Sequence, residues 1–599
     1  MGEVRAPLQG TVVKVAEAGD SVHAATAVVV VESMKMEHSV EAGLEGTVAE
    51  VLVVVGQAIS AGDLLARIEP GSVEALAVDD ASTERVGLRH DLAEVFDRHR
   101  AGLDAARPAA VERRRRTGQR TARENVADLL DEGSFVEYGP VVIAAQRRRR
   151  PVDDLIANTP ADGLVSGVGT VDGHRVAVLS YDYTVLAGTQ GMQNHRKKDR
   201  LFDIIERQRL PVVFFAEGGG GRPGDTDAPG VSGLDCLAFW LWGGLSGLVP
   251  MVGITSGRCF AGNAAILGCC DVVIATEGSN IGMGGPAMIE GGGLGVFTPE
   301  EIGPLEVQVA NGVVDVAVAD EAEAVAVARQ YVGYFTSPVD GWTAPPPEAL
   351  RDVIPENRRQ AYDVRTAVRG LADDGSVLEL RAGFGLGMVT ALARVEGKPL
   401  GIVANNPTHL AGAIDADGAD KAARFLQLCD AHDLPVLFLC DTPGIMVGPA
   451  AEAAGTVRHA SRLFVTGANL SVPFGTIILR KGYGLGAQAM AGGSFKAPIF
   501  CVSWPTGEFG GMGLEGAVRL GFRKELEAID DPGAREAAFD EMVERMYEHG
   551  KALNAASHFE IDDVIDPADS RRWITSLLLS RPPGAARTEG KRRPGIDPW

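Results

Sequence analysis

The chain has 599 residues, 57 basic against 80 acidic side chains, and a formal charge of −23. That length exceeds a single core, so roughly two to four domains are expected, and the acidic balance argues against nucleic acid as a partner. The seven cysteines are scattered without a C-x-x-C pair, which excludes a zinc ribbon and suits a reducing, cytoplasmic compartment. No signal peptide is expected at the N-terminus, because Glu3, Lys14, Glu17 and Asp20 interrupt it.

In chain order, the first signal is a duplicated β pattern. Gly10-Thr11-Val12-Val13-Lys14-Val15 recurs as Gly46-Thr47-Val48-Ala49-Glu50-Val51, an offset of 36. Short apolar runs punctuated by Gly and Asp predict a small antiparallel β domain. Its two halves would pack face to face, with Lys35 on the turn that joins them. Lys35 sits inside Glu32-Ser33-Met34-Lys35-Met36-Glu37-His38. An exposed lysine between two methionines, midway between matching halves, resembles the attachment site of the biotinyl domain of biotin-dependent carboxylases. Ser33 stands where that family usually has Ala. The resemblance implies a flattened β sandwich over residues 1–70 and covalent biotin on Lys35.

Residues 71–85 read as a flexible linker, whose reach grows with its length. From Leu88 to about Leu130 the pattern is helical, with a basic block at Arg113–Arg116, and a second block follows at Arg147–Arg150. Each block is a solvated face or a dock for a polyanion. The stretch from Thr121 to Phe135, then Ala161–Gly167, Ser180–Val185 and Phe559–Pro567, resembles the carboxyltransferase subunit of acyl-CoA carboxylases. With the carrier, the resemblance covers about nine-tenths of the chain. Residues 581–599, rich in Pro, Gly and Arg, read as a disordered tail.

A second internal repeat needs no family. Leu210-Pro211-Val212-Val213-Phe214-Phe215-Ala216-Glu217 recurs as Leu434-Pro435-Val436-Leu437-Phe438-Leu439-Cys440-Asp441, an offset of 224, and Pro250–Ala264 matches Pro473–Ala487. Continuous apolar runs after a helical pattern predict buried parallel strands. Two tandem α/β domains follow, over 86–345 and 346–580, for which the resemblance implies the crotonase-like fold. Cys236–Gly257, 22 residues without a charge, has the length of a membrane span. Pro250 and the glycines favour a buried helix, loop and strand, so no membrane is expected.

The second repeated unit ends each time in a strand, a small-residue turn and a helix. One copy is Phe260-Ala261-Gly262-Asn263-Ala264-Ala265, the other Tyr483-Gly484-Leu485-Gly486-Ala487-Gln488. Such a turn aims unpaired backbone N–H groups at one point, the form of an oxyanion hole. By family pattern one hole uses Gly262 and Asn263 for the CoA thioester, and the other uses Leu485 and Gly486 for biotin. Asn263 and Leu485 each replace a glycine common in the family. Gln488 stands where short-chain members commonly carry Asp, which argues against a plain propionyl-CoA enzyme unless it is simply a helix residue. Arg196, Lys197 and Lys198 face CoA phosphates or form a solvated helix face. No side-chain base, Ser-His-Asp group or metal cluster is expected.

The resemblance thus implies a carboxyltransferase with a fused biotin carrier, moving CO2 from carboxybiotin on Lys35 to the α or vinylogous γ carbon of an acyl-CoA. It also implies a separate biotin carboxylase, a biotin protein ligase, and a homo-oligomer, a hexamer by family pattern, whose sites form between protomers. Two rivals stand beside it. One is a decarboxylase subunit coupled to a sodium-pumping membrane partner; the other is a non-catalytic carrier or scaffold.

Overall fold

The computed structural model describes residues 1–72, 88–222, 224–227, 235–336, 338–580 and 594–599. Most of the linker (73–85) and of the tail (581–593) lies outside them. The chain divides into two compact units, Met1–Ala93 and Glu94–Trp599.

The first unit has eight strands: β1 Gly2–Arg5, β2 Gly10–Val15, β3 Ser21–Val22, β4 Ala27–Ser33, β5 Met36–Glu41, β6 Gly46–Val51, β7 Ala58–Ile59 and β8 Leu64–Pro70. They form two four-stranded sheets, β1-β8-β6-β3 and β5-β4-β2-β7, and every pairing is antiparallel. The two copies of the repeated segment, β2 and β6, sit in opposite sheets. Val12 and Val48 are their matched core residues, with Val31 and Ile68 beside them. Both β2 and β6 carry an irregularity one residue further on, between Val12 and Lys14 and between Val48 and Glu50. Gly10 and Gly46 are required by close approach: a Cβ would lie 2.4 Å from Glu32 O at one and 2.1 Å from Glu69 O at the other.

The Lys35 turn joins the two sequence copies, β1–β4 and β5–β8, as expected, but each sheet takes strands from both copies. β4 and β5 pair with each other, so the lysine hairpin lies within one sheet. Among the described strands this is the one consecutive pair that shares a sheet; every other connection crosses the sandwich.

The second unit contains two large sheets of the same plan and a two-stranded sheet of Arg258–Phe260 with Asn280–Gly282. The first has seven strands in the order Val316–Val318, Val272–Thr276, Met251–Thr255, Val212–Phe215, His174–Tyr181, Leu164–Val171 and Val136–Glu137. The second runs Leu378–Leu380, Met388–Val395, Lys398–Asn405, Val436–Thr442, Phe474–Tyr483, Cys501–Ser503 and Asp563–Val564, with Glu508–Gly510 alongside Phe474–Tyr483. In each, two antiparallel strands at one edge precede a parallel run.

Both large sheets are covered on both faces, which is why their strands read as unbroken apolar runs. Val212 and Phe214 point into one cluster, while Val213 and Phe215 point into another. Leu437 and Leu439 likewise face one cluster, while Val436, Phe438 and Cys440 join the cluster that holds Val213 and Phe215. The two sheets therefore share an apolar layer and fold as one compact unit. The uncharged stretch 236–257 is the helix Ala238–Leu245, a loop and the strand Met251–Thr255. Among the described residues no helix is long and apolar enough to cross a membrane.

The duplication extends to backbone details. Leu186-Ala187-Gly188 and Leu410-Ala411-Gly412 both place Leu and Ala at positive φ, between 47° and 54°. Each Gly packs its α carbon on the carbonyl of the matched acidic residue: a Cβ on Gly188 would lie 2.8 Å from Glu217 O, and one on Gly412 would lie 2.3 Å from Asp441 O. Lys197 and Lys421 are also matched. Lys421 Nζ donates to Arg381 O (2.8 Å) and Phe384 O (2.9 Å); Lys197 Nζ donates to Ala161 O (3.1 Å) and Leu164 O. Burial pushes Lys421 down to about 7 and Lys197 down to about 8.

A pH effect follows for Lys421. Unfolded, the lysine holds its proton up to its ordinary pKa of 10.5. Folded, it loses that proton above about 7. Between these values the unfolded chain binds more protons, so this group makes stability rise with pH. Lys421→Met should lose that contribution and leave two buried carbonyls without a donor, at about 1–3 kcal/mol each. Melting temperatures at two pH values inside this window check it: the gap between parent and variant should widen at the higher pH.

The tail differs from expectation at its end. Ile596 is buried, with its N–H donated to Ser246 Oγ (3.0 Å). Arg462 pairs with Asp597 (2.8 Å), Arg381 donates to Pro598 O (2.8 Å), and Trp599 meets Phe384 edge-on with ring centroids 5.4 Å apart. Two apolar anchors spaced by Asp-Pro are enough to seat a segment whose average composition is that of a disordered chain.

Candidate active site

Ser33 and Met36 are paired across the hairpin, leaving Met34 and Lys35 as a two-residue loop. Their φ values are 50° and 65°. Two positive φ values in a two-residue loop match the twist of a β hairpin, but the arrangement favours Asn and Gly. Holding two non-glycine residues there costs roughly 1–2 kcal/mol each. Met34 is 94% exposed, and Lys35 is exposed as well. Burial explains neither side chain. The hairpin presents a free amine on a short rigid loop, which fits covalent attachment of biotin through an amide.

The first turn follows the strand Arg258–Phe260 and opens the helix Gly262–Gly268. Ala261 has φ 52° and ψ −123°, a sparsely populated conformation that costs about 1–3 kcal/mol. Its N–H donates to Gly282 O (3.0 Å), and its carbonyl accepts from Ala265 N (2.9 Å). Gly262 is half-buried. A Cβ there would lie 3.0 Å from Gln190 Nε2 and 3.1 Å from Phe239 Cζ. As the first residue of its helix, Gly262 has an amide with no intrahelical acceptor.

Asn263 is fully buried. Its Nδ2 donates to Gly188 O (3.2 Å) and Glu217 O (3.1 Å), and its Oδ1 accepts from Gln190 Nε2 (3.1 Å) and Gly220 N (3.1 Å). The side chain is consumed in tying loops together and does not narrow the pocket. Glu217 is itself pinned by a buried pair with Arg114.

The second turn follows the strand Phe474–Tyr483 and opens the helix Gly484–Ala489. Gly484 has φ 55°, Leu485 is 61% exposed, and Gly486 is buried. A Cβ on Gly486 would lie 2.7 Å from the Cα and carbonyl carbon of Gly444. Thus Gly444, which closes the turn Asp441-Thr442-Pro443-Gly444, forms the backbone wall of the second turn. Asp441 is buried and pairs with Arg480 (3.1 Å) and Lys481 (3.2 Å). Gln488 is exposed on its helix.

The basic residues divide. Arg196 is exposed. Lys197 and Lys198 are buried, so the expectation that they meet CoA phosphates or water is corrected. Lys197 is spent on two carbonyls, as described. Lys198 Nζ donates to Tyr181 Oη (3.0 Å) and Gln190 Oε1 (2.7 Å), and burial pushes it down to about 7. Arg114 is buried against Glu217, while Arg115, Arg116, Arg147 and Arg150 have carboxylate partners of their own. Neither the buried Gln190 nor the strain at Ala261 was read from the sequence.

An exposed lysine hairpin on one unit, and two strand-turn-helix elements at matched positions in the duplicated halves of the other, are the layout expected of a carboxyl-transferring enzyme. Comparison with known proteins agrees. The carboxyl transferase domain family matches residues 113–580, and the biotin-requiring enzyme family matches residues 2–68. The chain is 34% identical over 489 residues to the methylmalonyl-CoA carboxyltransferase 12S subunit of Propionibacterium freudenreichii subsp. shermanii, covering 78% of this chain and 90% of that one. The 12S crystal structure, a hexamer assembly with methylmalonyl-coenzyme A bound, superposes with a TM-score of 0.72 at 30% identity, over 85% of this chain and 99% of that one. A single-chain, multi-domain long-chain acyl-CoA carboxylase superposes with a TM-score of 0.79 at 57% identity over 96% of this chain. This chain spans 56% of that protein's length. The chain belongs to the carboxyltransferase family of biotin-dependent acyl-CoA carboxylases, with a biotinyl domain at its N-terminal side and the crotonase-like fold in its catalytic unit.

Proposed function

We propose that this carboxyltransferase works on long-chain acyl-CoA, with biotin on Lys35, the thioester at the Gly262 turn and biotin at the Leu485–Gly486 turn. The single observation that carries the substrate class is the 57% identity, over 96% of the chain, to a long-chain acyl-CoA carboxylase. The surface beside the first turn supports it. Phe239, Trp240, Met283, Met288, Leu294 and Val296 are all exposed there or on the segments next to it, an apolar surface suited to an alkyl chain.

When bound, biotin supplies the carboxyl group to be transferred. The Gly262 amide would donate to the thioester oxygen and hold the enolate that accepts the carboxyl, the α proton passing to the group that gives the carboxyl up. A donor of this kind is worth about 3–4 kcal/mol of barrier. The amides at Leu485 and Gly486 would do the same for the ring oxygen of the carrier group. Exposed Leu485, Val447 and Met512 beside the second turn fit a site completed by a second copy, and a hexamer is the assembly proposed. A biotin protein ligase, a separate biotin carboxylase and a cytoplasmic setting complete the reading.

The test offers biotinylated protein a panel of carboxylated thioesters: malonyl-, methylmalonyl-, 3-methylglutaconyl- and long-chain alkylmalonyl-CoA. Loss of the carboxyl group is followed with free biotin present. The long-chain alkylmalonyl thioester should have the highest kcat/KM. Preference for methylmalonyl-CoA overturns the substrate class. No turnover of any thioester by folded, biotinylated oligomer favours the scaffold.

A further inference from the structure

Behind the first turn runs a buried chain of polar groups. Lys198 (0% exposed), Gln190 (4%) and Asn263 (0%) are joined end to end. Lys198 lies on the helix Met192–Gln208. Gln190 lies in the loop just before it, where its own N–H donates to Gly220 O (2.7 Å) and its carbonyl accepts from Arg222 N (2.9 Å).

The sense of each amide in this chain follows from its partners. Lys198 Nζ donates to Gln190 Oε1 (2.7 Å). That turns Gln190 Nε2 toward Asn263, which must then present Oδ1. The remaining end, Asn263 Nδ2, meets two backbone carbonyls, Gly188 O and Glu217 O, which only accept. Neither amide can flip without two like atoms meeting. The network also closes on the neighbouring loop, because Gly220 N donates to the same Asn263 Oδ1. A Cβ on Gly220 would lie 2.7 Å from Ala261 Cβ, so that loop presses on the strained residue of the turn. A conformation such as that of Ala261 persists only where its surroundings over-determine it.

We infer that Lys198 and Gln190 are positioning residues for the first turn, completing the hydrogen bonds that hold the Asn263 amide in place and thereby the placement of the Ala261–Gly262 peptide that receives the thioester oxygen. The inference rests on the reading of Gly262 given above. Neither side chain touches substrate. Each acts through Asn263.

Gln190→Glu is the discriminating variant. A carboxylate still accepts from Lys198 but cannot donate to Asn263 Oδ1, so two acceptors confront each other across a 3.1 Å contact. Lys198→Met is the companion, removing the donor to Gln190 Oε1. Full-length, biotinylated enzyme is assayed with whichever thioester of the panel the parent turns over fastest. For Gln190→Glu, kcat should fall about 10- to 100-fold, the rate equivalent of the penalty on a mispaired buried group. KM for the thioester should stay within about threefold, because the apolar and CoA contacts are untouched. Lys198→Met should lower kcat in the same direction, and the double variant should be little worse than Gln190→Glu alone. The inference is overturned if Gln190→Glu, folded and assembled as the parent is, keeps its kcat. It is equally overturned if activity falls only in proportion to the folded fraction, since the network would then be structural. A parent enzyme inactive on every thioester fails the reading of Gly262 itself, a result distinguishable from both.

Discussion

Lys35→Arg should carry no biotin and should transfer no carboxyl group by way of its carrier, while its catalytic unit still works with free biotin. The loop conformation does not depend on the side chain that is changed. Met34 and Lys35 hold φ 50° and 65° because the Ser33–Met36 pair and the flanking strands impose them, and Arg is no worse than Lys at positive φ. Lys35 is exposed, so stability should change by no more than about 0.5 kcal/mol. The chemistry does change. An amine can be acylated, whereas a guanidinium that stays protonated throughout the physiological range cannot. Intact mass gives the first readout, with the biotin increment present in the parent and absent from the variant. Carboxyl transfer with and without added biotin gives the second. A biotinylated Lys35→Arg protein would move the attachment site to another lysine. A variant inactive even with free biotin would mean that Lys35 also serves the transferase site.

The sequence repeat located both turns, because an apolar strand that ends in small residues and then a helix leaves few alternatives at matched positions. It could not say which atoms would do the work. Asn263 read as a replacement for a glycine common in the family. Its four hydrogen bonds show a strut instead, visible only once Gly188, Glu217, Gln190 and Gly220 are brought around it.

Lys197 and Lys198 read as solvent or phosphate contacts because they are charged. Their spacing carried a contrary signal: Leu201 and Ile204 follow Lys197, and Phe202 and Ile205 follow Lys198, at the intervals of one helix face. All four apolar residues are buried, and the lysines are buried with them, Lys197 on the carbonyls of Ala161 and Leu164 and Lys198 on Tyr181 Oη and Gln190 Oε1. The hairpin of Lys35 was legible as an exposed loop. Its place within a single sheet was not, since two matching copies do not reveal which strand crosses the sandwich. Residues 594–599 were illegible for a related reason, because average composition hides two anchors, Ile596 and Trp599, that bind through packing.

Gly486→Ala should abolish most transfer while leaving the protein folded and biotinylated. The added methyl would sit 2.7 Å from two backbone atoms of Gly444 and 3.1 Å from its carbonyl oxygen. A flexible side chain could swing away, but this wall is a turn held at both sides. Gly444 N donates to Thr442 Oγ1 (3.1 Å), and Gly444 O accepts from Ile414 N (3.0 Å). Either the Gly444 turn or the start of the helix Gly484–Ala489 must move. The helix start is constrained in turn, because Gly484 is at φ 55° and its α carbon packs against Gly511 O, with 2.7 Å between that oxygen and an added Cβ. Displacing backbone donors from a developing negative charge costs about 10²- to 10³-fold in kcat. The loss should fall on the half of the reaction that handles biotin. With free biotin as acceptor, kcat should drop by that factor, while KM for the CoA thioester stays within about threefold, since the Gly262 turn lies in the other repeat and follows a strand of a different sheet. Leu485→Ala gives the contrast: its side chain is 61% exposed and its backbone donor is retained, so kcat should change by less than about threefold. If Gly486→Ala keeps the parent rate, this turn does not receive the biotin oxygen. If Leu485→Ala is the more damaging change, the side chain and not the backbone serves the site.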